Sequence, residues 1–351
     1  MEQTQREFLD DLLETASPSG FEAPSQRIWI DYVEEFADEV RTDEYGNAVA
    51  IVEGGEPTVA LAGHSDEIGF IVRDIGDDGL IRIARIGGSD RTVSQGQHVV
   101  VHTDDGPVRG VIGQTAIHLR DPEEESLQDV AEQYVDLGVK DGEAAEKLVE
   151  RGDPITIQQS INELAGDRVS ARGLDNRIGI WAAAEGLRRA AERGPEATIC
   201  AVSTVQEEVG GQGAKMVGFD LAPDAVIAID VTHATDTPGV PETKQTGVEL
   251  GGGPVVVRGS SNHPRLVDAV RTVAAEDELD IQLQAAGIRT STDADSFFTA
   301  RGGIPSLYLG VPNRYMHTPV ELLDLDDLDT TGDLLGGFGA KAHDFEFGLD
   351  L

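Results

Sequence analysis

The chain is 351 residues long, 39% hydrophobic and 5% aromatic, and it carries 65 Asp and Glu against 27 Lys and Arg, a net charge of -38. That length suits one large α/β domain or two domains rather than one small core. So negative a surface excludes nucleic acid and anionic membrane as partners, because phosphate binding depends on lysine and arginine neutralising the phosphates.

In chain order, Phe8, Leu9, Leu12 and Leu13 recur at helical spacing over residues 2–15, and the turn cluster Ser17-Pro18-Ser19-Gly20 stops that helix. A second helix is predicted over 23–36, with Ile28, Trp29, Tyr32 and Val33 as its apolar face, followed by strands over 47–52 and 58–62. From 69 to 168 the texture changes. Short alternating runs (FIVRDI, LIRIARI, QHVVVHT, VRGVIG) separated by Gly and Asp-Gly turns predict a small β-barrel or sandwich. Two acidic helices, near 123–137 and 141–151, are expected to interrupt it, with an exit strand near 154–158.

After Arg172, helices and strands alternate: a helix over 175–193, strands over 197–205, 225–229 and 255–258, a helix over 263–278, strands over 282–286 and 306–311, and a closing helix over 325–342. Such alternation predicts an α/β fold with a largely parallel sheet covered by helices on both faces. The β-rich unit, 69–168, reads as an insertion into a discontinuous domain made of 1–68 and 169–351.

The acidity is spread along these elements and coexists with long apolar runs, which argues against a disordered acidic protein. Adaptation to high salt accounts for it better. At molar ionic strength the Debye length falls to roughly 3 Å, so like charges hardly repel. Lysine occurs only at 140, 147, 215, 244 and 341; sparing its long apolar stem limits the surface that strong salt drives into aggregation. Cys200, the single cysteine, lies in an apolar run and reads as a buried structural thiol, so neither a disulfide nor a cysteine-based zinc site is expected. The polar start MEQTQREFLD has no signal-peptide character and no run is long enough to span a bilayer, so a soluble, cytoplasmic protein is expected.

Ligands of open α/β sheets bind beyond the carboxyl ends of the strands. Gly63-His64-Ser65-Asp66 follows the strand TVALA, Glu207-Glu208 follows TICAVSTV, Asp230 follows AVIAI, and His317 comes shortly after SLYLGV. Asp175 stands at the start of a helix. Two imidazoles and several carboxylates suit zinc, cobalt or manganese. A pair of ions needs one bridging carboxylate and one acid left free to take a proton from water. The adjacent Glu207 and Glu208 can divide those tasks between them. Taken singly, each residue has a plainer reading: Asp175 as a helix N-cap, paired glutamates as solvated surface, and His98, His102, His118, His233 and His263 as loop histidines. Their joint placement along one sheet rim favours a metal-dependent hydrolase.

The strings SPSGFE (17–22), AGHSDEIGF (62–70), GLDNR (173–177), VQEEVGGQGA (205–214), AIDVTHATDTPG (228–239), TSTDAD (290–295) and RYMHTPVE (314–321) resemble, in order and spacing, the M42 metalloaminopeptidases of TET type, which include glutamyl and leucyl aminopeptidases. The resemblance covers the whole chain. It implies a zinc-peptidase-like fold and an enzyme releasing N-terminal residues from peptide substrates with two divalent ions, Zn2+ or Co2+, per subunit. Carried over by position, His64 and Asp230 would bind one ion, Glu208 and His317 the other, and Asp175 would bridge them. Glu207 would be the general base and then acid, and Asp66 would orient the His64 imidazole. The insert would act in dimerisation, and dimers would build a tetrahedral homododecamer. Ser65, where many relatives carry methionine, is a local difference away from the ligands.

Two other functions compete: a related two-metal amidohydrolase, such as a carboxypeptidase or deacylase, and a non-catalytic scaffold that kept the fold. A free acid at Glu207 argues against the scaffold. A glycosidase needs a carboxylate pair flanking a sugar, which the histidines and the bridging acid fit poorly.

Overall fold

The computed structural model describes residues 1–120, 127–158 and 160–349. It opens with helices α1 (Gln3–Glu14) and α2 (Ala23–Val33) and strands β1 (Glu39–Thr42), β2 (Ala48–Val52) and β3 (Gly55–His64). Strands β4 (Gly69–Ile75), β5 (Leu80–Ile86), β6 (His98–Thr103), β7 (Gly106–Ile112), β8 (Tyr134–Asp136) and β9 (Pro154–Ile157), with the short helix α3 (Gly142–Ala145), follow. Next come β10 (Asn162–Leu164), β11 (Arg168–Ala171), α4 (Leu174–Arg193), β12 (Ala197–Thr204), α5 (Gln212–Asp220) and β13 (Ala225–His233). The chain continues through β14 (Val255–Gly259), α6 (Pro264–Glu276), β15 (Gln282–Ala286), α7 (Asp293–Thr299), β16 (Ser306–Asn313), β17 (Glu321–Asp324) and α8 (Leu325–Lys341).

Eight strands form one sheet in the order β1-β2-β12-β3-β13-β16-β14-β15. Its four central strands are parallel, while β1, β2 and β14 pair antiparallel with their inner neighbours, so the sheet is mixed. Side chains alternate between the two faces, as the pleat requires. On β3, Val59 and Leu61 join the core under α1, α2, α4, α6 and α8, while Ala60 and Ala62 face α5 and α7. Cys200 is buried on the latter face, as its apolar surroundings predict. Helix α4 lies directly on the end of β3 because two glycines meet there: a Cβ on Gly63 would come within 2.4 Å of the Gly179 carbonyl carbon.

Strands β4 to β9 close into a barrel in the order β4-β5-β8-β7-β6-β9, filled by Phe70, Val72, Ile81, Ile83, Val99, Val101, Val135 and Ile155. The predicted helix over 123–137 is not found where the structure describes that segment; residues 123–126 lie outside the described residues. Beyond them come a 3-10 turn, Val130–Glu132, and strand β8, which pairs with both β5 and β7. Closing the barrel outweighs the helical preference of an acidic run. The second expected helix shrinks to α3, which starts on the Asp141 side chain capping Ala144 N–H and ends within a turn. Strand β10 pairs with β11 and β11 with β17, a separate three-stranded sheet apart from the barrel. Short elements absent from the sequence reading, β1, α5 and α7, complete the sheet edge and its second face.

Candidate active site

The parallel strands β12, β3, β13 and β16 run the same way, so their carboxyl ends share a rim. His64 is the last residue of β3, Asp230 lies on β13, and the Glu207–Glu208 turn follows β12. Asp175 stands where α4 begins, after Gly173 in the left-handed region, and its own backbone is not helical. His317 sits in a loop closed by reciprocal backbone hydrogen bonds between Arg314 and Leu322. Its φ of +63° is unfavourable for a non-glycine residue, at a cost of about 1 kcal/mol.

These five segments meet. Nε2 of His64 lies 3.3 Å from Oδ1 of Asp175 and 3.7 Å from Oδ1 of Asp230. Nε2 of His317 lies 3.3 Å from Oδ2 of Asp175 and 3.5 Å from Oε1 of Glu208. The Asp175 carboxylate thus turns one oxygen to each imidazole. Two triads result, His64–Asp175–Asp230 and Asp175–Glu208–His317, each with its donor atoms within 4.8 Å of one another. Glu207 stands beside them, with Oε2 3.9 Å from Nε2 of His64, and belongs to neither. His98, His102, His118, His233 and His263 join neither triad, although His98, His102 and His233 lie on strands rather than in loops.

Asp66 is fully buried and does more than face an imidazole. Its Oδ1 lies 3.3 Å from Nδ1 of His64 and accepts the Glu207 N–H at 2.9 Å, while Oδ2 accepts the Glu208 N–H at 3.1 Å and the Ser19 hydroxyl at 2.6 Å. Glu22 accepts the N–H groups of Gly20 and Gln206, which ties the N-terminal turn to the same loop.

The electrostatics show a site short of positive charge. Burial pushes Glu207 up to about 10, with Asp230, Asp293 and Glu208 adding to the effect and His64 opposing it. Burial likewise raises Glu208 to about 7 and Asp230 to about 6. Burial would raise Asp175 too, but hydrogen bonds from His317 and His64 hold it below the usual carboxylate range. Those bonds to Asp175 and Glu208 push His317 up to about 11. Burial opposes the charged form of His64, yet Asp230, Asp175 and Asp66 raise it well above its ordinary value. Without cations, a buried carboxylate cluster must retain protons; divalent cations satisfy the same demand. Imidazole and carboxylate donors in two triads sharing one residue therefore fit a pair of borderline-to-hard ions.

Several contributors went unassigned in the sequence reading. Glu321, within the RYMHTPVE string, is 2% exposed and accepts the backbone N–H of Asp175 at 3.0 Å and of His317 at 2.9 Å. Asp293, within TSTDAD, is buried with Oδ2 on the Thr204 hydroxyl at 2.5 Å. Gly87 and Gly88, at the end of β5, form a wall of the site. A Cβ on Gly88 would lie 2.6 Å from Nδ1 of His317, and one on Gly87 would lie 3.1 Å from the Glu208 Cβ. The barrel thereby touches both residues that close the second triad. A cavity between barrel and sheet, lined by Ile68, Phe70, Val93, Ile157 and Pro319, opens beside Asp175 and His317.

Residues 46–334 match the family model described as M42 glutamyl aminopeptidase. The chain is 34% identical over 330 residues to the lysyl aminopeptidase of Pyrococcus furiosus, an alignment covering 93% of this chain and 94% of that protein. Among solved structures, a TET aminopeptidase from a marine-sediment Thaumarchaeota archaeon superposes with a TM-score of 0.91 at 32% identity, covering 96% of each chain. The TET1 peptidase of Pyrococcus horikoshii, which can assemble into a tetrahedron or a large octahedral shell, gives a TM-score of 0.85 at 32% identity over 95% of this chain and 99% of that one.

Proposed function

The chain belongs to the M42 family of aminopeptidases, and from that premise we propose which of its residues carry the reaction. It is a metal-dependent hydrolase that releases N-terminal residues from peptides. Two ions per subunit, Zn2+ or Co2+, would be held by His64 and Asp230 on one side and by Glu208 and His317 on the other, with Asp175 between them. The observation that carries this reading is the division of the Asp175 oxygens, each 3.3 Å from a different imidazole.

When bound, the ions supply positive charge that polarises the scissile carbonyl and makes a water acidic enough to attack at neutral pH. Glu207 then has the task of moving the proton. With the ions bound, the Glu207 carboxyl would be ionised and would accept the proton from the attacking water at Oε2. It next donates that proton to the leaving amine. Asp66 holds the Glu207 and Glu208 peptides and the His64 ring in register for both transfers.

The test is Glu207→Gln. The variant should fold, assemble and bind metal as the wild type does while kcat falls at least 100-fold, within the range for loss of a general acid–base. Near-wild-type turnover would remove Glu207 from this role.

The wider reading follows the same premise. The chain divides into 1–68 with 169–351 and an insert of 69–168 that acts in dimerisation, and dimers assemble into a tetrahedral dodecamer. Among the described residues no helix is long and apolar enough to cross a membrane. The protein acts on peptides in the cytoplasm of a salt-loving organism, its net charge of -38 being suited to high ionic strength.

A further inference from the structure

We propose that Glu321 is a positioning residue for the metal centre, its single carboxylate fixing the peptides of Asp175 and His317 and so setting the distance between the bridging and terminal ligands of the second ion. The inference rests on the dinuclear reading above. Glu321 opens β17 opposite Ala171, the last residue of β11, so it faces the segment that leads into Asp175. It is almost wholly buried, and its oxygens do separate jobs: Oε2 accepts the Asp175 N–H at 3.0 Å and Oε1 accepts the His317 N–H at 2.9 Å.

The two ligands come from unrelated parts of the fold. Asp175 belongs to the non-helical first turn of α4, and His317 belongs to a loop in which both it and Tyr315 have positive φ. Neither backbone is held by regular helix or ladder hydrogen bonding at that point, so the spacing of their side chains depends on the group that links them. A carboxylate with one N–H on each oxygen is a rigid two-point link. It places Nε2 of His317 3.3 Å from Asp175 Oδ2 and 3.5 Å from Glu208 Oε1. Of the first triad, His64 and Asp230 lie on strands of the central sheet and do not depend on it, so only the shared Asp175 is affected there, against two of three ligands in the second. Coordination tolerates displacements of only about 0.5 Å, so loosening this link should weaken one ion far more than the other.

The experiment compares full-length wild type with Glu321→Gln and Glu321→Asp. Glutamine keeps the shape but has one acceptor oxygen, and its amide N–H groups oppose a backbone donor. Aspartate keeps both acceptors but is too short to reach both peptides. Each stripped protein is titrated with Zn2+ by calorimetry, and its metal-free melting temperature and size are measured. Both variants should melt within a few degrees of wild type and hold one ion normally, while the other binds about 10–100-fold more weakly. Excess Zn2+ should restore part of kcat. Two ions bound with wild-type affinities in a folded variant would reduce Glu321 to an ordinary buried acid and overturn the proposal, leaving the dinuclear reading intact. If glutamine prevents folding, the aspartate variant decides by the same criterion. A wild-type protein that binds fewer than two ions would overturn both.

Discussion

The carboxylate of Asp66 carries the peptide of Glu207, with Oδ1 accepting its N–H at 2.9 Å. The same side chain accepts from Glu208 and Ser19 and faces Nδ1 of His64, so one buried acid aligns an imidazole and the proposed base from behind. Asp66→Asn removes one of the two acceptors and places an amide against a backbone donor. It should lower kcat/KM by about 10–100-fold, as loss of a group supporting metal ligands typically does, with the circular dichroism spectrum unchanged. Steady-state hydrolysis of an aminoacyl anilide measures this; a change within twofold would show that the Glu207 loop holds itself.

Glu67 yields a prediction about pH. It is buried between Arg172 and Arg177, with the Arg177 Nη2 contact at 2.9 Å, and it also accepts the Ser17 N–H. Burial opposes its charge, but the two guanidinium groups more than compensate and bring it from 4.5 down to about 2. A depressed carboxylate stabilises the fold above its unfolded pKa, and that contribution is lost as pH falls through the folded value. Ionisation of Glu67 therefore contributes roughly 3 kcal/mol at pH 7 relative to its protonated form, most of it lost as pH falls from about 5 to about 2. Glu67→Gln also strands the buried Arg177 charge. In chemical denaturation, the stability difference between wild type and Glu67→Gln should be full above pH 5 and shrink toward pH 2. A difference that is constant across this range would contradict the assignment.

The proposed ligands were legible in the sequence because each follows an apolar run or opens a helix, and a short continuous apolar run announces a strand buried on both faces and where it ends. Glu321 shows why the rest was harder to see, as does the second task of Asp66, which was expected only to orient the His64 ring. Both accept backbone N–H groups, a role that depends on tertiary placement and leaves no spacing pattern, and in a chain with 65 acidic residues one more glutamate attracts no notice. The described part of the expected 123–137 helix, residues 127–137, was misread for a related reason. Local propensity favoured a helix, whereas β8 is fixed by pairing with β5 and β7, whose registers the sequence does not display. The Gly87–Gly88 approach to Glu208 and His317 is likewise a contact between barrel and sheet that local pattern cannot reveal.

Salt should act on the whole molecule. At 1 M ionic strength screening reaches roughly 3 Å, and at 0.01 M roughly 30 Å, so dilution lets the excess carboxylates repel one another across the surface. Moving the protein from about 2 M KCl to 10 mM should lower its melting temperature by at least 10 °C and reduce its assembled size, since self-repulsion opposes the compact state. Identical circular dichroism and light scattering in both buffers would contradict the reading of the -38 charge as adaptation to salt.

The central claim, that residues from five separate segments hold a dinuclear centre bridged by Asp175, is tested most directly by counting ions. Stripped wild-type protein, reloaded with Zn2+ or Co2+ and analysed by elemental analysis, should hold two ions per subunit, and Asp175→Ala should hold neither with native affinity. A wild type that takes up one ion or none, or an Asp175→Ala protein that keeps both, would contradict it.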